Sequence, residues 1–239
     1  MLTRLTALFA ALSLSACVSA FEPVKFDRAA TPITSIAISK DMAYDRPSAY
    51  GGAGASAAFG AIGGIAAAAV AEDRATKLDA ALSSANFDAE KLLEEVFASE
   101  LSGAGFEVSV EDFGPRPKNS LAGASIKIPY KSFEGAPKGA DAYLDVVMGW
   151  GYSAAQSKLW VPVVGIDLNL VSATDSKVLA NDGVGYGPKQ FRKGTTFILH
   201  DESLGFTSFE ELASNPEAAA EMLTEAIRKT AQAAASKIK

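Results

Sequence analysis

Leu159–Ser172 reads LWVPVVGIDLNLVS, and Val178–Tyr186 reads VLANDGVGY. In the first segment, apolar residues alternate with Asp167 and Asn169, which is the period of a strand with one buried face. Between the two segments lies ATDSK, a run rich in turn-forming residues. The stretch therefore predicts an antiparallel hairpin. Its buried face is predicted to carry Val164, Ile166, Leu168 and Leu170.

Three further segments extend this hairpin into a sheet. Ala140–Tyr152 alternates in the same way and predicts a strand that forms a meander with the hairpin. Ile33–Ser39 and Phe106–Glu111 are short apolar or alternating runs beside turn-forming residues, and each predicts one more strand. The expected sheet has about five strands and is mixed but mostly antiparallel.

Helices are predicted to cover one face of this sheet. Glu72–Ala85 and the strongly amphipathic Phe87–Leu101 form a central helical region. A C-terminal helix starts at Asn215-Pro216, because proline is tolerated at the first helical position. This order predicts an α+β, two-layer fold in a single domain over residues 32–239, with a central and a C-terminal helix packed on the sheet.

Glycine and proline mark the places where this pattern is interrupted. Gly149, Gly151 and Gly165 fall inside predicted strands, where glycine indicates a bulge or a close contact. Residues 113–140 and 187–207 are predicted to be irregular loops. The first of these loops is basic, so it is either a solvated insertion or a segment that docks on an anionic surface.

Residues 51–71 form a second unusual segment, with small residues at every fourth position: Gly52, Ser56, Gly60, Gly64 and Ala68. On a helix these positions would make one smooth ridge, as in close helix–helix packing within membranes. Few bulky apolar residues accompany them, and six glycines penalise a free-standing helix. We predict a Gly-rich loop that runs into a helix. The alternative is a glycine-zipper element that self-associates or inserts into a membrane.

The N-terminus carries a short basic start, a short apolar run and then Leu14-Ser15-Ala16-Cys17, which is the layout of a secretory signal peptide. Cys17 is the only cysteine of the chain. These four residues resemble the lipobox of bacterial lipoproteins. The resemblance implies that residues 1–16 are removed, that Leu14, Ser15 and Ala16 are recognised by the signal peptidase, and that Cys17 carries the lipid. The alternative is an ordinary signal peptide cut after Ala20.

Two further expectations follow from this resemblance. Residue 18 is valine, whereas aspartate at that place favours the inner membrane in enterobacterial lipoproteins, so the outer membrane, facing the periplasm, is expected. Residues 17–31 are predicted to be a tether that lets the folded domain clear the membrane surface.

The order of elements also resembles a group of small periplasmic lipoprotein domains. The segments that carry the likeness are Phe106–Glu111, the Tyr143–Met148 strand, the Val164–Tyr186 hairpin and the closing helix. They resemble domains of the TolB amino-terminal type, which the curli-secretion lipoprotein and activators of penicillin-binding proteins share. The resemblance implies protein–protein interaction or assembly at the envelope, and no catalysis.

Composition and motifs also limit the classes of function that are expected. The net charge of −6 disfavours nucleic-acid binding, which needs clustered cations. His200 is the only histidine, and no metal-ligand or nucleophile motif accompanies it, so no metal and no cofactor are expected. Asp141 and Asp145 share strand parity, which leaves an envelope hydrolase as an alternative.

Aromatic residues cluster in the central strands. They either fill the core or form an exposed contact surface for a peptide or glycan, and the core interpretation is favoured. The residues are Tyr143, Trp150, Tyr152 and Trp160. The function expected overall is a lipid-anchored, non-catalytic binding or assembly module that meets an envelope protein or a second copy of itself.

Overall fold

The computed structural model describes residues 22–51, 60–116, 130–134, 136, 138–155, 157–190, 194–201 and 203–239, and only the backbone of 60–68. The proposed signal peptide, its lipobox and Cys17 lie outside these residues. So do Gly52 and Ser56 and parts of both predicted loops.

A mixed sheet packed by helices forms an α+β architecture, as predicted. The described strands and helices are β1 (Ser35–Ser39), β2 (Ser48–Tyr50), α1 (Gly60–Ser84), α2 (Ala89–Gly103), β3 (Glu107–Glu111), β4 (Ala142–Ser153), β5 (Val161–Ser172), β6 (Val178–Gly187), β7 (Thr196–Leu199), α3 (Phe209–Ser214) and α4 (Pro216–Ala235).

The sheet is built around the predicted meander of β4, β5 and β6. Both pairings in this meander are antiparallel. The strand order is β3-β1-β4-β5-β6-β7, with β2 paired to the end of β4, and the remaining four pairings are parallel. Strand β1 therefore lies between β3 and β4, although β3 and β4 follow it in sequence.

The prediction of about five strands is wrong, because the described sheet has seven. Strand β2 has three residues and β7 has four, too short for an alternating pattern to stand out. Strand β7 lies inside residues 187–207, which the sequence predicts to be an irregular loop. Both short strands are held in place by pairing with β4 or β6.

One face of the sheet, here called the helix face, is buried under the helices. The apolar set predicted for β5 lies on it, so this part of the prediction is confirmed. Helix α2 starts where expected, because the Asp88 carboxylate accepts a hydrogen bond from the Lys91 N–H at 2.9 Å. Helix α4 starts with Pro216 and buries Leu223 and Ile227 in the same core.

Residues 22–31, predicted to belong to a tether, are packed on the domain. The Val24 N–H and C=O pair with Asn181 of β6 at 2.8 and 2.9 Å. Further along, the Arg28 guanidinium lies over the Phe106 ring at 4.2 Å and donates to the Ala104 carbonyl at 2.9 Å. Within the described residues, the chain is therefore fixed to the sheet from Val24 onward.

The Gly-rich segment enters helix α1 at Gly60. Gly60, Gly64 and Ala68 of the predicted ridge lie on this helix, in the part of which only the backbone is described. In the described part of the chain, no helix has the length and apolar character that crossing a bilayer requires.

Asp141 joins the start of β4 to the start of β1. Its Oδ2 accepts from the Thr34 N–H at 2.7 Å, the Thr34 hydroxyl at 2.8 Å and the Ser35 N–H at 3.0 Å. These donors hold the pKa of Asp141 below its ordinary value of 3.8. The stabilisation is therefore fully present above pH 3.8 and is lost as the pH falls through the lowered pKa.

We expect Asp141→Asn to lower the free energy of unfolding by about 1 kcal/mol at neutral pH, a modest loss because the carboxylate is solvent-exposed. Urea unfolding at neutral pH and near pH 2 measures it, and the difference from wild type should shrink at the acidic pH. Asn at the exposed Asp45 is the control. A loss of equal size at both pH values would contradict the role of the ionised carboxylate.

Candidate binding site

Three glycines lie side by side on the face of the sheet opposite the helices. Gly149 of β4 pairs with Gly165 of β5, and Gly165 pairs with Gly185 of β6. Residues directly opposite each other on neighbouring strands point to the same face. The absence of side chains at these three positions leaves a flat floor across the meander, roughly 10 Å from β4 to β6.

A depression of about 590 Å³ lies on this floor, which is within the range of small-ligand sites. We call it the glycine trough. One wall is formed by Tyr44 and Tyr50, and the other by described residues between β6 and β7. That second wall includes Pro188, Lys189 and Thr195.

Tyr44 is fixed by its backbone, while the residue is 42% exposed. Its N–H donates to the Met148 carbonyl at 2.9 Å, and its own carbonyl accepts from the Trp150 indole at 2.9 Å. Its ring lies beside the floor, since a Cβ on Gly149 would be 3.6 Å from Tyr44 Cε2. An aromatic side chain that is both exposed and held in one place is typical of a binding surface.

A carboxylate from helix α2 fixes the chain just before Tyr44. Glu90 accepts hydrogen bonds from the N–H groups of Met42 and Ala43 at 2.9 and 2.6 Å. This carboxylate lies in the first turn of the helix, where the helix dipole favours negative charge. The segment that carries Tyr44 is thus tied to both the sheet and a helix.

Tyr50 reaches the trough because β2 approaches β4 very closely. Gly151 has a φ of +147°, and a Cβ there would lie 2.1 Å from the Ser48 carbonyl oxygen. Only glycine fits both this conformation and this approach. Tyr50 is then held through its carbonyl, which accepts from the Ala154 N–H at 2.8 Å, and it is 57% exposed.

The polar groups of the trough are few. Asp167 and Lys189 line it together with Arg46, whose guanidinium is already bonded to Glu72 and Thr76 at 2.7 Å each. Burial raises the pKa of the Tyr44 phenol, and the charge of Asp167 adds to this shift while nearby Arg116 opposes it. Tyr44 is therefore a neutral phenol at physiological pH, suited to packing and to a single hydrogen bond.

Below the trough on the same face, a buried ion pair attaches the loop that precedes β4. The Asp145 carboxylate is fully buried and accepts from Arg116 Nη1 and Nη2 at 2.7 and 2.8 Å. The Lys131 N–H donates to the same carboxylate at 2.7 Å, and Lys131 Nζ bonds the Lys40 carbonyl at 2.8 Å. The described parts of the 113–140 loop are therefore anchored on the sheet by charge.

The two carboxylates considered for hydrolysis have different surroundings. Asp145 is buried and bidentate with Arg116, whereas Asp141 is exposed and bonded to Thr34 and Ser35 at the end of the sheet. Neither of them lines the trough. Through these contacts, each carboxylate holds neighbouring segments of the chain together.

His200, the only histidine of the chain, is buried, and only 6% of it is exposed. Its Nε2 lies 2.6 Å from the Leu204 carbonyl, and its Nδ1 lies 2.9 Å from the Tyr186 hydroxyl. Because a carbonyl only accepts, Nε2 carries a proton and donates it to this bond. In the neutral ring, the Tyr186 hydroxyl then donates to Nδ1. Both ring nitrogens are thus engaged in holding the chain after β7.

The aromatic residues that cluster in the predicted central strands are buried, so the favoured interpretation, that they fill the core, is confirmed. Trp150, Tyr152 and Trp160 lie in the helix-face core, and Tyr143 packs with Phe113 and other residues on the opposite face. Among the described residues, the exposed aromatics are Tyr44 and Tyr50, for which the sequence predicts neither a strand nor a site. The signal in the sequence that could have led to them is the unusual glycine content of β4 and β5.

In the described part of the chain, no group of three histidine, cysteine or carboxylate side chains is arranged to hold a metal ion. Family models, curated proteins and solved structures give no match to this chain.

Proposed function

We propose that this chain is a lipid-anchored protein of the bacterial envelope that binds a partner protein without catalysis, with the glycine trough as its binding site. The observation that carries the binding role is Tyr44, exposed above a side-chain-free floor and fixed through its backbone. The anchor is proposed from Leu14-Ser15-Ala16-Cys17, and Val18 favours the outer membrane.

The trough favours recognition through side chains. Across its floor, the backbone groups of β4, β5 and β6 are engaged in the pairing of these strands with one another. A ligand therefore cannot bind there by adding a strand, and must pack apolar or aromatic groups against glycine and tyrosine. This suits a partner segment that presents such side chains.

The TolB-type relationship is also part of this proposal. It is supported by the order of elements and by the antiparallel meander followed by a closing helix. Under this proposal the domain is one of the modules that assemble envelope complexes, and a site that binds through aromatic contacts supports it.

Replacement of Cys17 by alanine tests the anchor. We expect wild-type protein made in bacteria to incorporate labelled palmitate and Cys17→Ala to incorporate none, because the variant lacks the only thiol of the chain. The wild-type protein should sediment with outer membranes, and the variant should not. Equal labelling of the two proteins would remove the anchor from the proposal.

A photocrosslinking amino acid at Lys189 tests the trough in intact cells. Lys189 lines the trough and is exposed, so we expect a discrete crosslinked partner at this position. The same amino acid at Lys177, an exposed lysine in the turn between β5 and β6, is the matched control and should capture little.

In the Lys189 background, Tyr44→Ala should reduce capture, since an aromatic anchor contributes about 2 kcal/mol, roughly 30-fold in affinity. Its folded state should persist because the bonds that hold this segment come from the backbone. Equal capture at Lys177 and Lys189, or capture unchanged by Tyr44→Ala, would reject the trough while leaving the anchor intact.

A further inference from the structure

The N-terminal segment leaves the domain at one edge of the sheet. Val24 pairs with Asn181 on the side of β6 that faces away from β5, and β7 pairs with the same side of β6 further along. The Val24 pairing is antiparallel, so the residues before Val24 run toward the point where β7 begins. We call β7, residues 203–205 that follow it, and residues 22–25 together the outer edge.

The chain between this edge and Cys17 is short. Four residues lie between Cys17 and Glu22. A fully extended chain spans at most roughly 18 Å over these five Cα–Cα steps. The opposite edge of the sheet, β3, lies four strands from β6, about 19 Å further away. An acylated Cys17 would therefore keep the outer edge near the bilayer and β3 away from it.

The outer edge also carries apolar side chains that the domain leaves in solvent. Leu199, the last residue of β7, is 71% exposed, Leu204 is 53% exposed and Val24 is 44% exposed. Leu199 pairs opposite Gly187, and Val24 pairs opposite Asn181, so the two lie roughly 20 Å apart along β6. Exposed leucines beside an anchoring point are suited to the boundary between headgroups and acyl chains.

The buried His200 explains how one of these leucines is held. Its Nε2 donates to the carbonyl of Leu204, and its Nδ1 is bonded to the Tyr186 hydroxyl in β6. The Leu204 N–H in turn donates to the Asp201 carbonyl at 3.0 Å. The turn after β7 is thus tied to the sheet while its leucine side chain points outward.

We propose that the outer edge is the surface with which this domain lies on the lipid bilayer. The proposal rests on the acylation of Cys17 in the proposed function. Among the described residues, the exposed charges near this edge are balanced, with Lys25 and Lys189 against Glu22 and Asp201. The exposed leucines and this balance favour an apolar contact, which does not require anionic lipid.

Depth-dependent fluorescence quenching tests this orientation in the full acylated protein. The only native cysteine is blocked by its lipid, so a single introduced cysteine can be labelled alone. Leu199→Cys reports on the outer edge, and Ser109→Cys, an exposed position on β3, reports on the opposite edge. The proteins are placed in phosphatidylcholine vesicles that contain lipid with a nitroxide headgroup.

We expect a label at position 199 to lose most of its fluorescence and a label at position 109 to lose little, in low and in high salt alike. A second pair, Leu204→Cys against Val70→Cys on helix α1, should behave in the same way. Equal quenching at both edges, or stronger quenching at position 109, would overturn the orientation while the anchor stands. Failure of all labelled proteins to float with the vesicles would remove the anchor and the orientation together.

Discussion

Arg116→Leu is expected to lower the free energy of unfolding by about 3 kcal/mol, because it leaves a buried carboxylate without its cation. Asp145 is fully buried, and two of its hydrogen bonds come from the Arg116 guanidinium. The Lys131 N–H remains as a donor but carries no charge. Urea unfolding followed by the fluorescence of the buried Trp150 and Trp160 measures the change.

Two further variants separate this effect from a general loss of charge. Lys77→Leu removes the cation of an ion pair on α1 whose side chains are 61% and 60% exposed, and it should cost no more than about 0.5 kcal/mol. Arg116→Leu combined with Asp145→Leu removes both charges and should be more stable than Arg116→Leu alone. If the single and double variants were equally unstable, the buried charge would not be the cause.

Arg116 also supports the binding site. Its Nη2 donates to the Asp41 carbonyl at 3.3 Å, three residues before Tyr44, and to the Val146 carbonyl at 3.2 Å. We therefore expect Arg116→Leu to weaken crosslinking through Lys189 even at temperatures where the protein stays folded. Circular dichroism in the same samples verifies that the fold is retained.

Gly151→Ala is expected to destabilise the protein by roughly 3 kcal/mol, combining the strain of a positive φ with the loss of hydrogen bonds between β2 and β4. The new Cβ would lie 2.1 Å from the Ser48 carbonyl oxygen, so backbone must move. Movement of β2 displaces Tyr50 from the trough. Urea unfolding measures the stability, and crosslinking through Lys189 should fall in parallel.

Gly149→Ala is the matched control for this prediction. It lies two residues earlier on the same strand and the same face, and its Cβ would meet only the Tyr44 ring, at an ordinary contact distance of 3.6 Å. We expect a change in the free energy of unfolding within about 0.5 kcal/mol. If both alanine variants were equally stable, the close approach of β2 would not depend on glycine.

The periodic parts of the fold could be predicted from sequence, because each of them is long enough to show its period. The meander and the amphipathic helices have many positions at which an apolar or polar residue reports the buried face. The position of β1 between β3 and β4 could not be predicted, since parallel pairing between distant segments leaves no local pattern. Strands β2 and β7 could not be predicted either, because they are too short to show a period.

The trough depends on a detail of register that sequence does not display. Val171 pairs with Val178, whereas Leu170 pairs with Ala180, so a bulge shifts β6 by one residue. Without this shift, Gly165 would lie opposite Val184, and the other face of β6 would line the trough. The sequence shows that these strands contain unusually many glycines, but the alignment of the glycines across the sheet depends on the bulge.

The exposure of Tyr44 and Tyr50 could not be predicted from the sequence either. Tyr44 and Tyr50 lie in a segment with no periodicity, and their surroundings come from Glu90, Trp150 and Gly151, which are distant in sequence. The two carboxylates considered for hydrolysis also differ in place, because Asp145 lies in β4 whereas Asp141 directly precedes the strand. Their separation into one exposed and one buried group depends on Arg116, contributed by a loop.

The insertion of β1 has a consequence for synthesis and transport. Strand β1 is made early, but one of its two partners begins at Ala142, which is made much later. The meander can form as soon as its own three strands are available, because its contacts are local in sequence. A nascent or translocating chain therefore carries β1 without one of its two partners until β4 has been made, and we expect a holding chaperone to be required until then.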